Sequence, residues 1–191
     1  MPNRITKVFG LDKSGDKGRI RHTTLCSFNY TDEQLSESEK IVIGEGCIPV
    51  GDQEYLARVL EDPSHVEAIE LGLAYTPGAF SDCTKWGLSV QRVCLTTPGQ
   101  IDTFGRAKAG LAPEHKPRKY RGYAVGLTSA LRSKKSKISE KRLFGVFATP
   151  LEGVPAHTDI YAVSGAREDK EAIKAYLWEI FNLDKIVESA L

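Results

Sequence analysis

The sequence predicts a single α+β domain over residues 1–191, with a mixed, largely antiparallel sheet packed against several helices, one of them C-terminal. Three observations support this fold class. The length of 191 residues is close to that of one domain. Strand signals alternate irregularly with helical ones, and the first two strands form a hairpin pattern, which argues against a doubly wound sheet. Ile173, Leu177 and Ile180 recur at the spacing of an amphipathic helix.

The N-terminal part of the chain predicts a hairpin followed by a helix. Residues 5–9 and 20–30 have the residue content of strands, and a polar turn with two glycines separates them. Thr31, with Gln34 three residues later, has the form of a capping box. We therefore expect a short helix that runs to Lys40.

The segment 41–73 predicts a strand and two helices. Residues 41–43 form an apolar run typical of a buried strand. Asp52 can cap one helix, and Asp62 followed by Pro63 has the form of a second helix start. The apolar stripes of these two helices would be Tyr55, Leu56, Val59 and Leu60, and then Val66, Ile69 and Leu73.

The middle of the chain, 88–131, predicts a strand, a long loop and a short helix. Side chains alternate over 88–95 as in a strand, and the sequence at 96–99 is typical of a turn. Residues 100–121 show little periodicity and contain several glycines and prolines, so we expect an extended loop. Apolar residues four apart within 123–131 predict a short helix.

The C-terminal part predicts two strands and the strongest helix of the chain. A polar, basic connector at 133–141 leads to a strand at 143–148. After a turn at 150–155, a second strand follows at 160–163. The final helix would begin at 164 or 165, with acidic residues in its first turn, where they complement the helix dipole.

The composition is that of an ordinary globular protein, with 41% hydrophobic and 27% charged residues. No apolar run is long enough to cross a membrane, and the first ten residues lack the apolar core of a signal peptide. The four cysteines show no C-x-x-C spacing, which favours reduced thiols and a cytoplasmic location. We therefore expect no membrane contact, no metal site and no cofactor.

Charge is distributed very unevenly along the chain. Residues 106–142 hold twelve basic and two acidic side chains, a formal charge of +10, whereas the whole chain carries only +1. Such asymmetry indicates a polyanionic partner. Basic loops that neutralise the chain's own acidic segments are the alternative explanation.

Nucleic acid, in particular RNA or a single strand, is the partner that this basic segment favours. Its cations lie largely in loop sequence, where several of them can reach phosphates together. An exposed tyrosine beside them could stack on an unpaired base. The candidate nucleic-acid-binding residues are Lys116, Arg118, Lys119, Tyr120, Arg121, Arg132, Lys134, Lys135 and Lys137.

Two histidines lie on or beside predicted strands and are followed by polar residues two positions later. His22 and Thr24 form His-x-Thr, and His157 and Asp159 form His-x-Asp. The first motif resembles half of the signature of the two-histidine phosphoesterases, which repeat His-x-Thr or His-x-Ser. The resemblance implies a metal-independent phosphodiesterase or nucleotide-processing enzyme with His22, Thr24 and His157 as catalytic residues. Asp159 departs from the second motif, because a carboxylate repels phosphate.

Three other constellations are compatible with chemistry as well as with ordinary structural roles. Ser89 and Arg92 on a predicted strand, with Tyr161, offer side chains that could hold an anionic nucleotide. Cys26 lies four residues from His22, so both would face the same side of a strand, as thiol catalysis needs. These two residues with His157 and Asp159 could also converge on a metal, although no paired ligand spacing supports this.

The function expected from the sequence is thus binding of a phosphate-bearing partner through 106–142. A small phosphodiesterase built on His22 and His157 is the first alternative. A protein–protein interaction module that uses its opposite charges for docking is the second. The sequence specifies neither a substrate nor an oligomeric state.

Overall fold

The computed structural model describes residues 25, 30–40, 48–69, 72–163 and 169–182. Within these residues the fold is α+β, as predicted, with an antiparallel five-stranded sheet, a separate two-stranded sheet and a C-terminal helix. The strands predicted at 5–9 and 41–43, and nearly all of the one at 20–30, lie outside the described residues.

The larger sheet has the strand order β5-β1-β4-β7-β6, and all neighbouring strands in it are antiparallel. The smaller sheet is the antiparallel pair β2 and β3. The strands are β1 (Tyr55–Asp62), β2 (Val66–Ile69), β3 (Gly72–Tyr75), β4 (Leu88–Arg92), β5 (Lys119–Leu127), β6 (Phe144–Ala148) and β7 (His157–Ala162).

The α-helices are α1 (Asp32–Glu39), α2 (Pro98–Gly110), α3 (Thr128–Ser133) and α4 (Lys170–Ile180), and 3-10 turns span Pro77–Thr84 and Val93–Leu95. The capping box predicted at Thr31 and Gln34 is present at the start of α1. An equivalent box, formed by Thr97 and Gln100, begins α2.

One face of the larger sheet holds the main apolar core. Leu88 and Val90 of β4 and Ile160 of β7 point into it, as expected for alternate residues of neighbouring strands. Helix α4 covers this face with Ile173, Leu177 and Ile180, the stripe predicted from the sequence.

The opposite face carries two smaller apolar clusters at its two ends. At the β5–β1 end, Ile101 of α2 packs with Ala57 and Val59. At the β6–β7 end, Leu35 of α1 packs with Phe147 and with Tyr161, Leu25, Tyr30 and Val163. Between the clusters, the central strands β4 and β7 present polar side chains on this face, and these form the candidate site.

The two helices predicted within 52–73 are wrong. Residues 55–62 form β1, whose side chains from Leu56 to Leu60 are all buried, so both of its faces are covered. Such a strand shows no polar–apolar alternation, and its apolar run mimics a helical stripe. The second predicted helix is the hairpin of β2 and β3.

The extended loop predicted at 100–121 is also wrong, because α2 and the start of β5 occupy most of it. The glycines and prolines of 100–121 favour a loop, but Gly105 lies inside α2, where it allows a close approach to β5. A Cβ there would lie 2.3 Å from Cε2 of Tyr120. The helix predicted at 123–131 is in fact the end of β5 followed by α3.

Within the part of the chain that the structure describes, no helix has the length and apolar character needed to cross a bilayer.

Candidate functional site

Four polar side chains form a compact group in the middle of the larger sheet. Ser89 and Gln91 of β4 lie opposite Asp159 and His157 of β7, respectively. Directly opposed residues of antiparallel strands project from the same face, so all four share the face that lies between the two small apolar clusters. We call these residues the polar quartet.

His157 is held at both ring nitrogens. Its Nδ1 lies 2.7 Å from the main-chain oxygen of Thr149, which can only accept a hydrogen bond. Nδ1 therefore carries a hydrogen, and when the ring is neutral this is its only one. Its Nε2 is then an acceptor, and it lies 2.7 Å from Oγ of Ser89. The hydroxyl of Ser89 thus donates to Nε2 of a ring whose tautomer is fixed by the bond from Nδ1 to Thr149.

Asp159 is placed to act on the same ring. Its Oδ1 lies 3.8 Å from Nε2 of His157, and its Oδ2 accepts a 3.0 Å hydrogen bond from the Thr149 hydroxyl. Both His157 and Asp159 are buried, whereas Ser89 is half-buried. The Asp159 carboxylate is therefore fixed beside Nε2 of His157 by its bond with Thr149.

A cavity of about 350 Å³ reaches the polar quartet at Gln91, whereas Ser89, His157 and Asp159 do not line it. Gln91 of β4 lines it, and so does Ala156, the residue before His157. Among the described residues, none that lines it is charged. The remaining lining residues are Leu95, Thr96, Gln100, Thr103, Phe104, Ala107, Gly153, Val154 and Pro155.

Gln91 itself is 3% exposed, and its side-chain nitrogen Nε2 is buried with no hydrogen-bond partner in the described structure. Buried amide donors are normally satisfied, and Gln91 is also one of the residues that line the cavity.

Of the predicted catalytic residues, only His157 lies within the described residues, and it occupies the first position of β7. His22 and Thr24 lie outside them, as does Cys26, so their distances to His157 stay open. Asp159 faces the same side as His157. Ser89, considered in the sequence only as a nucleotide ligand, is the hydrogen-bond partner of His157.

Ser89, Arg92 and Tyr161, which the sequence suggests as nucleotide ligands, do not converge on one site. The Arg92 guanidinium is buried in a two-pronged ion pair with Glu54, with both N–O distances 2.7 Å. Tyr161 is fully buried in the cluster beside α1. Neither side chain lines the cavity.

The basic residues that follow α2 are all candidate binding residues, but only some of them are free of ion pairs within the described residues. They are Lys116, Arg118, Lys119 and Arg121. Lys116 and Lys119 are exposed and form no ion pair within the described residues. Arg118 is exposed but contacts Glu61 at 2.8 Å, and half-buried Arg121 contacts Asp62 at 2.6 Å. The expected open loop is therefore wrong at its C-terminal end, where β5 begins.

Tyr120 does not present its ring to solvent, contrary to the expectation of base stacking. The residue is 6% exposed, and its hydroxyl donates to Asp102 of α2 at 2.6 Å. Burial and the neighbouring Asp102 carboxylate both raise the pKa of this phenol. The ring is part of the packing between α2 and β5.

The remaining candidate binding residues lie against acidic or aromatic side chains of other elements. They are Arg132, Lys134, Lys135 and Lys137. Arg132 contacts Glu39 and Asp52, at 2.9 Å and 2.6 Å. The ammonium of Lys137 lies 5.9 Å from the Tyr176 ring centre. Two weaker ion pairs are Lys134 with Glu179 at 3.5 Å and Lys135 with Asp32 at 3.6 Å. Much of the positive charge at 106–142 is thus balanced within the fold.

Comparison with known proteins finds no matching family model, no matching curated protein and no matching solved structure.

Proposed function

We propose that the protein is a serine hydrolase of uncharged esters, in which His157 is the general base and Ser89 the nucleophile. The observation that carries the proposal is the 2.7 Å contact between Ser89 Oγ and His157 Nε2. A hydroxyl is a weak nucleophile until an adjacent base accepts its proton, and a third group normally orients that base. The main-chain oxygen of Thr149 supplies that orientation here.

The reaction follows from these contacts. Ser89 Oγ attacks the ester carbonyl carbon while its proton moves to Nε2 of His157. The imidazolium, stabilised by Asp159, then gives this proton to the leaving alcohol as the carbonyl–oxygen bond breaks. A water molecule, deprotonated by the same nitrogen, attacks the acyl-serine, and Nε2 returns this proton to Ser89 Oγ as the acyl–oxygen bond breaks. The products are a carboxylic acid and free Ser89, so atoms and charges balance.

An uncharged substrate fits this site better than a phosphate ester. Asp159 places a carboxylate beside the reacting nitrogen, and an added phosphate charge would be repelled by it. The cavity next to the polar quartet is lined by apolar and neutral side chains among the described residues. Such a lining accommodates an acyl group at little desolvation cost.

Labelling with a fluorophosphonate probe tests the assignment, because the probe bonds covalently to an activated serine. Ser89 is expected to carry the label, and p-nitrophenyl butyrate is expected to be hydrolysed. Ser89→Ala should abolish labelling, and Ser89→Ala and His157→Gln should each lower kcat about 1000-fold or more. Ser133→Ala, at an exposed serine, is the matched control. Unchanged hydrolysis by Ser89→Ala would refute the proposal.

The phosphodiesterase alternative predicts a different profile in the same assay. Hydrolysis of bis-p-nitrophenyl phosphate without added metal, abolished by His22→Ala and independent of Ser89, would favour it. Turnover of the carboxylic ester alone would favour the serine hydrolase.

Polyanion binding is a second candidate function, supported by the exposed side chains of Lys116 and Lys119. Because Arg118 and Arg121 pair with acidic residues of β1, the cleanest test replaces only the two lysines by alanine. RNA affinity should fall, and the log–log salt slope should decrease by about 0.7 to 0.9 for each phosphate that is no longer neutralised. Identical affinity of the double variant would exclude this cluster.

A further inference from the structure

We infer that the cavity beside the polar quartet is the acyl-binding site of this ester hydrolase, and that the Gln91 amide donates to the carbonyl oxygen under attack. The inference rests on the proposed function and adds to it a substrate class and a further catalytic residue. The substrate class is esters of short apolar acids.

The first support is the unsatisfied donor of Gln91. The residue is 97% removed from solvent, and its Nε2 meets no acceptor in the described structure. Nε2 is closed to solvent in the free protein, so the Gln91 side chain has to turn toward the cavity that it lines before a ligand can supply the acceptor. A carbonyl oxygen is such an acceptor, and it binds more strongly as negative charge develops on it.

The second support is the position of Gln91 relative to the nucleophile. Ser89 and Gln91 are two residues apart in β4 and project from the same face, so their Cα atoms are separated by about 7 Å. A carbonyl group needs about 3 Å to a nucleophile on one side and about 3 Å to a donor on the other. The spacing of alternate strand residues therefore suits a carbonyl held between Ser89 and Gln91.

The third support is the character of the cavity on the far side of Gln91. Its walls include Leu95, Phe104, Ala107, Val154 and Pro155. Its volume of about 350 Å³ lies near the lower end of ordinary ligand sites, which extend from about 300 to 1,000 Å³. Leu95 is 42% exposed, so part of the apolar wall stays accessible to solvent in the free protein.

These observations together predict how acyl chains are ranked. An acyl chain whose carbonyl lies between Ser89 and Gln91 would extend along the apolar wall. Butyryl and hexanoyl esters should then react with higher kcat/KM than acetyl esters, because they bury more apolar surface. A dodecanoyl chain should exceed the space and lose this advantage.

Steady-state kinetics of Gln91→Met test the donor. Methionine keeps the length and apolar stem of glutamine but donates no hydrogen bond. We expect kcat for p-nitrophenyl butyrate to fall about 100- to 1000-fold, as for removal of one oxyanion donor, with KM within twofold. Gln53→Met, at an exposed glutamine outside the site, is the control. A kcat within threefold of wild type would overturn the role of Gln91.

The cavity is tested by Ala107→Phe, which adds bulk to its wall from the exposed side of α2. The ratio of kcat/KM for hexanoate to that for acetate should fall at least tenfold. This ratio is measured within one variant, so it is insensitive to the amount of folded protein. A ratio equal to that of wild type would overturn the acyl-site assignment.

The failure of this inference differs from that of the proposed function. If Ser89 is not labelled and esters are not turned over, the proposed function fails and this inference fails with it. If Ser89 is labelled and esters are hydrolysed, but Gln91→Met and the chain-length series show no effect, the inference alone is wrong.

Discussion

The Glu39 carboxylate, at the end of α1, accepts a 2.6 Å hydrogen bond from the main-chain nitrogen of Val146 in the edge strand β6. Val146 has its side chain in the main core, while its N–H points outward along the open edge of the sheet. The same carboxylate forms ion pairs with Arg132 and Arg142. One buried side chain thus serves an edge strand and two guanidinium groups.

Replacing Glu39 by glutamine should destabilise the fold by about 3 kcal/mol or more, because two arginines would be left without the buried charge that balances them. Urea unfolding measures this change. Glu37→Gln is the matched control in the same helix, since its ion pair with Lys40 is exposed and contributes little. Equal stability of the two variants would show that the Glu39 charge is not needed.

The packing of α4 on the sheet predicts the effect of a core truncation. Leu177 is fully buried in the main core, so Leu177→Ala should lower the free energy of unfolding by about 2–5 kcal/mol. Lys170→Ala, at the exposed start of the same helix, should change it by less than about 0.5 kcal/mol. A thermal midpoint of Leu177→Ala within error of wild type would contradict the packing.

Glycine is required at position 87, immediately before β4. Its φ is +96°, and a Cβ there would lie 2.6 Å from Cζ of Tyr161. Gly87→Ala should therefore cost about 1–3 kcal/mol from backbone strain alone, with a further cost from displacing the ring. Gly99→Ala is the contrasting variant, because nothing lies within 4 Å of its Cβ position. Its stability, followed by thermal unfolding, should equal or exceed that of wild type.

His65 predicts a loss of stability in acid. Burial, with a smaller effect of the Arg58 charge, lowers its pKa to about 4, whereas in the unfolded chain the pKa is about 6.5. Between these values the unfolded chain binds more protons, so the free energy of unfolding falls as the pH drops from about 6.5 to 4, by up to about 3 kcal/mol.

The variant His65→Asn removes this titration and keeps an acceptor for the Glu61 N–H, which bonds to His65 Nδ1 at 3.1 Å. Comparing urea unfolding at pH 7.5 and 4.5 should show a smaller loss of stability in the variant than in wild type. An equal loss in both proteins would place the acid sensitivity in other groups.

Local signals with a specific geometry were predicted correctly from the sequence. The capping box at Thr31, the strand at 143–148 and the apolar stripe of α4 are all present. The spacing of apolar residues did not identify β1 as a strand, because a strand buried on both faces has no alternating polar–apolar pattern. It failed again in α2, although Thr97 and Gln100 have the same capping-box form as Thr31 and Gln34 and could have identified the helix.

The candidate site could be predicted only in part. The sequence singles out His157 because it lies beside a predicted strand and is followed by polar residues, and both relationships are local. Its partnership with Ser89 depends on the pairing of β4 with β7, which the sequence does not specify. The same limit applies to the basic segment, whose charge could be counted but whose acidic partners, such as Glu61 and Asp62, come from a distant strand.

Ser89 and His157 are separated by 68 positions in the sequence and meet only when β4 and β7 pair. A folding intermediate that lacks this pairing would contain both residues without their contact. Under the function that we propose, covalent labelling of Ser89 would therefore report on whether β4 and β7 have paired. During refolding, reactivity toward the probe should appear with the slowest long-range pairings and not with the early helices.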